Sequence, residues 1–289
     1  MSVIKNRNGE YMNAGESQEV VLSFLYKTVP GRMVLKVLTK PFVSKMVGCF
    51  MNSFLSTGLI KSFLKKTNID LREYEKCRYR SYNEFFTRKI KKDKRVIDRD
   101  PKVFISPCDS KLSVYEISDE NYFRIKGSVY TLKDLLDGDE LYKEYEGGYC
   151  MIFRLTVDDY HRYCYIDNGT KGDNYFIPGE LHTVNPIALE HCNIYKRNCR
   201  EYTVLQTENF GKVIQVEVGA MMIGRIVNYH GKHAFKRGEE KGMFEFGGST
   251  TVLLVKKNQI KVDADLLENS KENIETVVKL GERIGYSIK

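Results

Sequence analysis

The sequence predicts an α+β fold, with a helical, amphipathic N-terminal lobe followed by a β-rich core. Two observations carry this prediction. Between Val20 and Ile69 apolar residues recur at helical spacing. Beyond Lys76 short alternating or wholly apolar runs recur between Gly, Asn and Asp clusters. The change of texture divides the chain into a helical lobe, residues 1–75, and a core, residues 76–289. Length and composition agree. With 289 residues, 42% hydrophobic, the chain can bury a large core, and it carries no low-complexity tract or internal repeat.

The lobe is apolar and basic at once. After Pro41, residues Phe42, Met46, Phe50 and Phe54 form one i, i+4 row, and Val43, Val47, Met51 and Leu55 form the next. Ser44, Lys45, Gly48, Asn52, Ser53 and Ser56 fall mainly off this face. The longest uncharged run, Met46 to Ile60, is shorter than the roughly 20 apolar residues a spanning helix needs, which predicts no transmembrane span. Lys27, Arg32, Lys36, Lys40, Lys45, Lys61, Lys65 and Lys66 lie in a stretch without a single acid, and they account for the whole net charge of +8. The positive charge is therefore local, and an anionic surface is its expected partner. Two readings stand side by side. The apolar face packs on the core with solvated lysines around it, or the helices lie in the interface of an anionic bilayer.

From Arg80 to Arg88 the chain reads as a short helix capped by Ser81, with Glu84 three residues on. A charged connector, Lys89 to Asp100, leads into the core. Strand-like runs follow at Val103–Ile105, Lys111–Ile117, Tyr149–Thr156, Val213–Val218, Met221–Val227 and Thr251–Val255, interrupted by one helix, Thr131–Leu136. The seven cysteines (Cys49, Cys77, Cys108, Cys150, Cys164, Cys192 and Cys199) are odd in number and contain no Cys-x-x-Cys pair. Reduced thiols are expected, with neither a disulfide scaffold nor a zinc site, so no metal is assigned. Met1 to Glu19 is polar and acidic, and predicts no secretory signal.

Three segments carry candidate chemistry. Ser106-Pro107-Cys108-Asp109 ends a strand at a proline turn, Asp158-Asp159-Tyr160-His161 follows an apolar strand, and Gly247-Gly248-Ser249-Thr250 precedes another. Each has a plain explanation: Asp109 as a turn residue, His161 as an ordinary histidine, Gly-Gly-Ser-Thr as a tight turn. Together, Asp109, His161 and Ser249 supply an orienting carboxylate, a base and a nucleophile. A neutral His161 would take the Ser249 proton, Asp109 would fix the imidazole tautomer, and the Ser249 oxygen would attack the adjacent Gly248 carbonyl.

Further motifs accompany these segments. They are Asn83-Glu84-Phe85-Phe86-Thr87-Arg88, Ile125-Lys126-Gly127 before Tyr130-Thr131-Leu132, Pro178-Gly179-Glu180-Leu181 with Val184-Asn185, and Arg197-Asn198. Val218-Gly219-Ala220 and Gly238-Glu239-Glu240-Lys241-Gly242 complete the set. In this order, over roughly residues 75 to 257, the chain resembles the phosphatidylserine decarboxylases, self-cleaving pyruvoyl enzymes of membranes. The resemblance implies cleavage between Gly248 and Ser249, giving a β chain 1–248 and an α chain 249–289, an α/β heterodimer from one precursor, and it leaves a further homo-oligomer open. Transfer of the acyl group to the serine oxygen, elimination through dehydroalanine and hydrolysis of the resulting imine would leave a pyruvoyl group derived from Ser249 as the only cofactor. That ketone would form a Schiff base with phosphatidylserine and act as electron sink for loss of CO2, His161 reprotonating the α-carbon before phosphatidylethanolamine leaves.

The resemblance also gives the lobe, residues 1–75, a membrane-docking role. It places the protein peripherally on the cytoplasmic face of the cell membrane, with phosphatidylserine as partner and no nucleic acid. One position departs from the family pattern. Where a second histidine often stands three residues after the first, this chain has Cys164, so His161 would serve both steps unless His182 substitutes. A pyruvoyl decarboxylase of a soluble amino acid and an uncleaved lipid-binding relative without activity are the alternatives.

Overall fold

The computed structural model describes residues 3–12, 19–67, 69–76, 78–118, 120–125, 128–184, 194–220, 225–245 and 249–288. Lys126-Gly127, Asn185, the start of the expected Met221–Val227 strand, and Gly247-Gly248 lie outside the described residues.

The chain opens with β1 (Val3–Lys5) and β2 (Tyr11–Met12), then runs through helices α1 (Glu19–Lys27), α2 (Val29–Leu38), α3 (Pro41–Met51), α4 (Thr57–Leu64) and α5 (Tyr82–Phe86). The first half of the core holds β3 (Val103–Ile105), β4 (Ser110–Glu116), the hairpin β5 (Tyr122–Ile125) and β6 (Ser128–Thr131), and α6 (Leu132–Leu135). Next come β7 (Tyr149–Leu155), β8 (Arg162–Cys164), β9 (Gly169–Lys171), β10 (Tyr175–Ile177), α7 (Ile194–Arg197), β11 (Arg200–Thr207) and β12 (Gly211–Val218). The last part comprises β13 (Ile226–Asn228), β14 (His233–Phe235), β15 (Glu240–Phe244), β16 (Ser249–Val255), β17 (Ile260–Val262), α8 (Ala264–Lys271), β18 (Ile274–Val278) and β19 (Arg283–Ser287). The expected α+β class, helices first and strands after, is what the chain forms.

One large sheet organises the core, in the order β14-β9-β11-β12-β16-β7-β4-β18-β1-β2, with β10 also paired to β11. Its pairings are antiparallel except β1 on β18. Strand alternation sorts the side chains onto two faces. Cys150, Ile152, Val216, Val252 and Leu254 point to one face, which α1 and α2 cover with Leu25, Tyr26 and Leu35. Met151, Phe153, Leu253 and Val255 point to the other, where they meet Tyr163 and Phe244 of a small sheet, β13-β15-β8. A fully buried ion pair, Lys241 of β15 with Glu217 of β12 at 2.9 Å, ties this small sheet to the large one.

The helical lobe begins at Glu19, not at the chain start. Residues 3–12 are instead strands on the edge of the core sheet, because Val3-Ile4 suits a pleated surface and Gly9 turns the chain back with φ +84°. In α2, the Thr28 hydroxyl accepts from the Gly31 N–H as an N-cap. Gly31 also lets α1 and α2 touch, since a Cβ there would lie 2.0 Å from the Phe24 carbonyl oxygen. The two rows on α3 part company. Val47 and Met51 pack with Tyr82, Phe85 and Phe86, whereas Phe42, Met46, Phe50 and Phe54 face outward, 44–77% exposed. Among the described residues no single helix is long and apolar enough to cross a membrane. The pair Phe42–Met51 and Phe54–Leu64 reaches the length only with a 79° bend.

Candidate active site

Sheet order brings the three expected residues to one end of three neighbouring strands. Ser249 opens β16 opposite Leu155, the last residue of β7. Lys111, second in β4, lies opposite Arg154, so Asp109 stands just beyond the same edge. The turn leaving β7 carries His161, whose carbonyl accepts from the Phe244 N–H at 2.9 Å, at the end of the strand that leads toward Ser249. Along the edge β4–β7–β16 the order is therefore Asp109, the His161 turn, Ser249. At about 4.8 Å per strand, the outer two elements are about 10 Å apart.

His161 is fully buried. Its Nδ1 lies 2.9 Å from the Asp159 carbonyl, which can only accept, so Nδ1 carries the proton and Nε2 keeps its lone pair. Among the described residues Nε2 has no hydrogen-bond partner. The Phe86 ring sits 3.9 Å away, centroid to centroid. Burial drives the imidazole from its ordinary 6.5 down to about 3, against the pull of the Asp159 charge. It is a neutral base with a free lone pair in a dry setting. The Ser249 hydroxyl is likewise buried, with no described partner. On β16 it shares a face with Thr251 and Leu253, the face covered by β8 and β15.

The Asp109 carboxylate lies among partners other than His161. It is taken up by Arg95, whose Nε donates at 2.8 Å and whose Nη2 makes a second short contact, and by the Leu280 N–H at 2.8 Å. Lys279 adds a charge at 3.6 Å. The contact to His161 is not made, and the Asp159 main chain fixes the tautomer instead. The physical reason is competition: a guanidinium offers a carboxylate two parallel charged donors, which a neutral imidazole cannot match.

The His161 turn is held by residues that sequence reasoning left without roles. Arg88 is buried over the Tyr74 ring and donates to the Asp158 and Asp159 carbonyls at 3.1 and 3.2 Å. The Asp159 carboxylate accepts from Lys111 Nζ at 2.6 Å and from the Thr156 N–H at 2.7 Å. Burial alone would raise the Asp159 pKa, yet Lys111 and Thr156 bring it below its usual range. Asp159 stands two residues before His161, and that adjacency was its signal; Arg88, the last residue of the Asn83–Arg88 motif, had no such signal. Lys111 and Arg95 had none, because only folding brings them near.

Neither Cys164, which stands in place of a second histidine, nor His182, the alternative base, offers a free basic lone pair. Burial pushes the Cys164 thiol up to about 12, so it stays protonated near neutrality. His182 is engaged at both ring nitrogens, Nδ1 with the Tyr26 hydroxyl at 3.2 Å and Nε2 with Glu180 at 3.0 Å. A cleft of about 660 Å³ adjoins the Arg95 side of the site, with Lys89, Lys91, Lys92, Arg99 and Arg162 outnumbering Glu75 and Glu240 on its walls. Its charge suits an anionic ligand.

Comparison with known proteins agrees with the motifs. Residues 82–286 match the family model described as phosphatidylserine decarboxylase. A phosphatidylserine decarboxylase proenzyme 2 of Clostridium acetobutylicum is 51% identical over 91% of both chains. Phosphatidylserine decarboxylase proenzymes of Clostridium perfringens and Ruminiclostridium cellulolyticum are 40% and 42% identical, covering 91% and 93% of this chain and 92% and 91% of theirs. With the match running through the strands that carry Asp109, His161 and Ser249, the chain belongs to the phosphatidylserine decarboxylase family.

Proposed function

We propose that this protein is a proenzyme that cuts itself between Gly248 and Ser249 and then decarboxylates phosphatidylserine to phosphatidylethanolamine with the pyruvoyl group so formed. The observation that carries the reading is a pair of buried groups at one sheet end, the Ser249 hydroxyl and His161 Nε2, that have no hydrogen-bond partner among the described residues. Two such groups each cost about 1–3 kcal/mol of unmet hydrogen bonding, a cost that a reaction between them would explain.

Ser249 Oγ gives its proton to His161 Nε2 and attacks the Gly248 carbonyl. His161 Nε2 then hands that proton to the Ser249 nitrogen as the peptide C–N bond breaks, and an ester to Oγ replaces the amide. Removal of the Ser249 α-proton expels the Gly248 carboxylate, and water releases ammonia from the new N-terminus. The orphaned Ser249 site fits the group this produces, since no described side chain occupies its hydroxyl. Once formed, the pyruvoyl ketone supplies the electron sink for loss of CO2. His161 Nε2 would take the proton that the substrate ammonium sheds and return it to the carbon left behind, and the closely packed Phe86 helps exclude water from that exchange.

A lipid substrate gives the helical lobe its purpose. Phe42, Met46, Phe50, Phe54 and Leu55 face outward beside Lys45, a surface suited to an anionic leaflet, where each lysine adds about 1 kcal/mol. The other side of α3 packs on Phe86, the ring that covers His161. Peripheral docking on the cytoplasmic face of the membrane accords with the free thiols at Cys49, Cys108, Cys150, Cys164 and Cys199.

The test is a denaturing gel with intact mass of the purified protein, followed by assay on phosphatidylserine and on free serine. A small fragment beginning at residue 249 with a carbonyl-blocked N-terminus, and activity on the lipid alone, are expected. A chain that stays whole, or turnover of free serine in place of the lipid, overturns the reading.

A further inference from the structure

A second cluster of chemistry lies away from Ser249 and the mechanism does not use it. His230, His233 and Glu239 offer two imidazole nitrogens and a carboxylate oxygen that all lie within 4.8 Å of one another. The sequence separates them as His-x-x-His and six further residues, and the fold closes the gap. His233 opens β14, which pairs with β9, and Glu239 follows Gly238, whose φ of +75° makes the turn.

Two of the three members are oriented from behind. The Tyr165 hydroxyl meets His230 Nδ1 at 3.2 Å, which turns Nε2 toward Glu239. The Lys236 N–H holds Glu239 Oε2 at 2.9 Å, leaving Oε1 to face the rings. Glu239 Oε1 lies 2.7 Å from His233 Nε2 and 3.8 Å from His230 Nε2. A tetrahedral ion with bonds of about 2.0–2.2 Å sets its ligand atoms about 3.3 Å apart, between these two values. The two rings stack 4.0 Å apart, so they must swing about their Cβ–Cγ bonds to direct both lone pairs at one point. All three side chains are about 30% exposed, which leaves an approach for a hydrated ion. The nearby ammonium groups are already committed. Lys171 Nζ binds the His230 and Gly231 carbonyls at 2.7 and 2.8 Å, and Lys232 reaches toward Asp173.

We propose that His230, His233 and Glu239 form a binding site for a divalent transition-metal ion, with two imidazoles and one carboxylate as ligands and solvent in the fourth position. This donor set is a zinc-type set, and outer partners on His230 and Glu239 are what such ligands require. The absence of a Cys-x-x-Cys pair, from which no zinc site was expected, does not bear on ligands of this kind. The ion would clamp β14 to the turn entering β15, whose far end adjoins His161. Its role is structural stiffening of that strand, since none of its ligands reaches the reacting atoms.

The experiment is a calorimetric titration of the metal-stripped full-length protein with Zn2+ alone. One ion per chain is expected, with a rise in Tm that grows with zinc concentration because the unfolded chain lacks the assembled site. His233→Gln and Glu239→Gln should each weaken binding by at least about 100-fold, more than losing an outer partner does. Zinc X-ray absorption on the unaltered protein covers the case in which a variant does not fold. Nitrogen and oxygen neighbours at about 2.0–2.2 Å support the site. No zinc retained, unchanged affinity in the His230→Gln/His233→Gln double variant, or sulfur at about 2.3 Å overturns it.

Discussion

Replacing His161 by Gln on a Ser249→Ala background isolates what burial does to the base. On the proposed mechanism the Ser249→Ala change should keep the protein as one chain, and the Gln amide can still donate to the Asp159 carbonyl but cannot titrate. In the folded protein the imidazole is held down to about 3, against 6.5 in an open chain. The unfolded state therefore binds the extra proton throughout the interval between these values. The stability that the neutral imidazole confers is complete above pH 6.5 and is lost as pH falls toward 3. Each pH unit in that window costs about 1.4 kcal/mol, so the loss from about pH 6.5 to about pH 4.5 is about 3 kcal/mol from this residue alone. Urea unfolding of both proteins at about pH 7 and about pH 4.5 measures it, because carboxylates that titrate in both proteins cancel in the difference. Ser249→Ala should lose about 3 kcal/mol more than the double variant over this range. Equal losses would mean that His161 is solvated and protonated like an ordinary histidine, and the neutral-base argument would fail.

Other outcomes follow from the same geometry. Self-cleavage of the unaltered precursor should hold a near-constant rate from about pH 8 to about pH 5, as the base is already neutral there; a rate falling with an apparent pKa near 6.5 contradicts this. Asp109→Asn takes the closest charged partner from the Arg95 guanidinium, which is 13% exposed and keeps only the Lys94 carbonyl and a distant Glu73, and should cost about 3 kcal/mol in urea unfolding while slowing processing. Adding Arg95→Met should restore the stability and leave processing slow; wild-type processing in the double variant would make Asp109 purely structural. Phe42→Ser with Phe54→Ser alters two side chains that already face outward, so the fold should persist while co-sedimentation with phosphatidylserine vesicles drops at least about tenfold. Unchanged binding at low salt refutes docking through this face.

Much of the layout was legible in the chain. Short alternating or wholly apolar runs located β3, β4, β7, β12 and β16, and the Ser81 cap with Glu84 located α5. Asp109, His161 and Ser249 were visible as residue types at strand ends, and sheet order brought those ends together. What could not be read was which polar groups win each partner. Arg95 is 14 residues from Asp109, and Lys111 is 48 from Asp159, so neither pair has a local pattern. The outward face of α3 was equally hidden, since both its rows are apolar and only packing against Tyr82, Phe85 and Phe86 decides which one is buried. Residues 3–12 escaped because two short strands give too few alternations to betray a period.

The position of Ser249 at the start of β16 has a further consequence for what a cut there would leave. The small piece supplies a central strand bonded to β12 on one side and β7 on the other, and later a second strand inserted between β4 and β1. It is woven through the sheet like a weft thread, so the two pieces cannot separate while the fold stands. Mixed populations should show no exchange of fragments in native buffer. Denaturation would make such a cut irreversible in a practical sense: the uncut chain should refold at a rate independent of concentration, whereas a severed form would have to find its missing strand by collision.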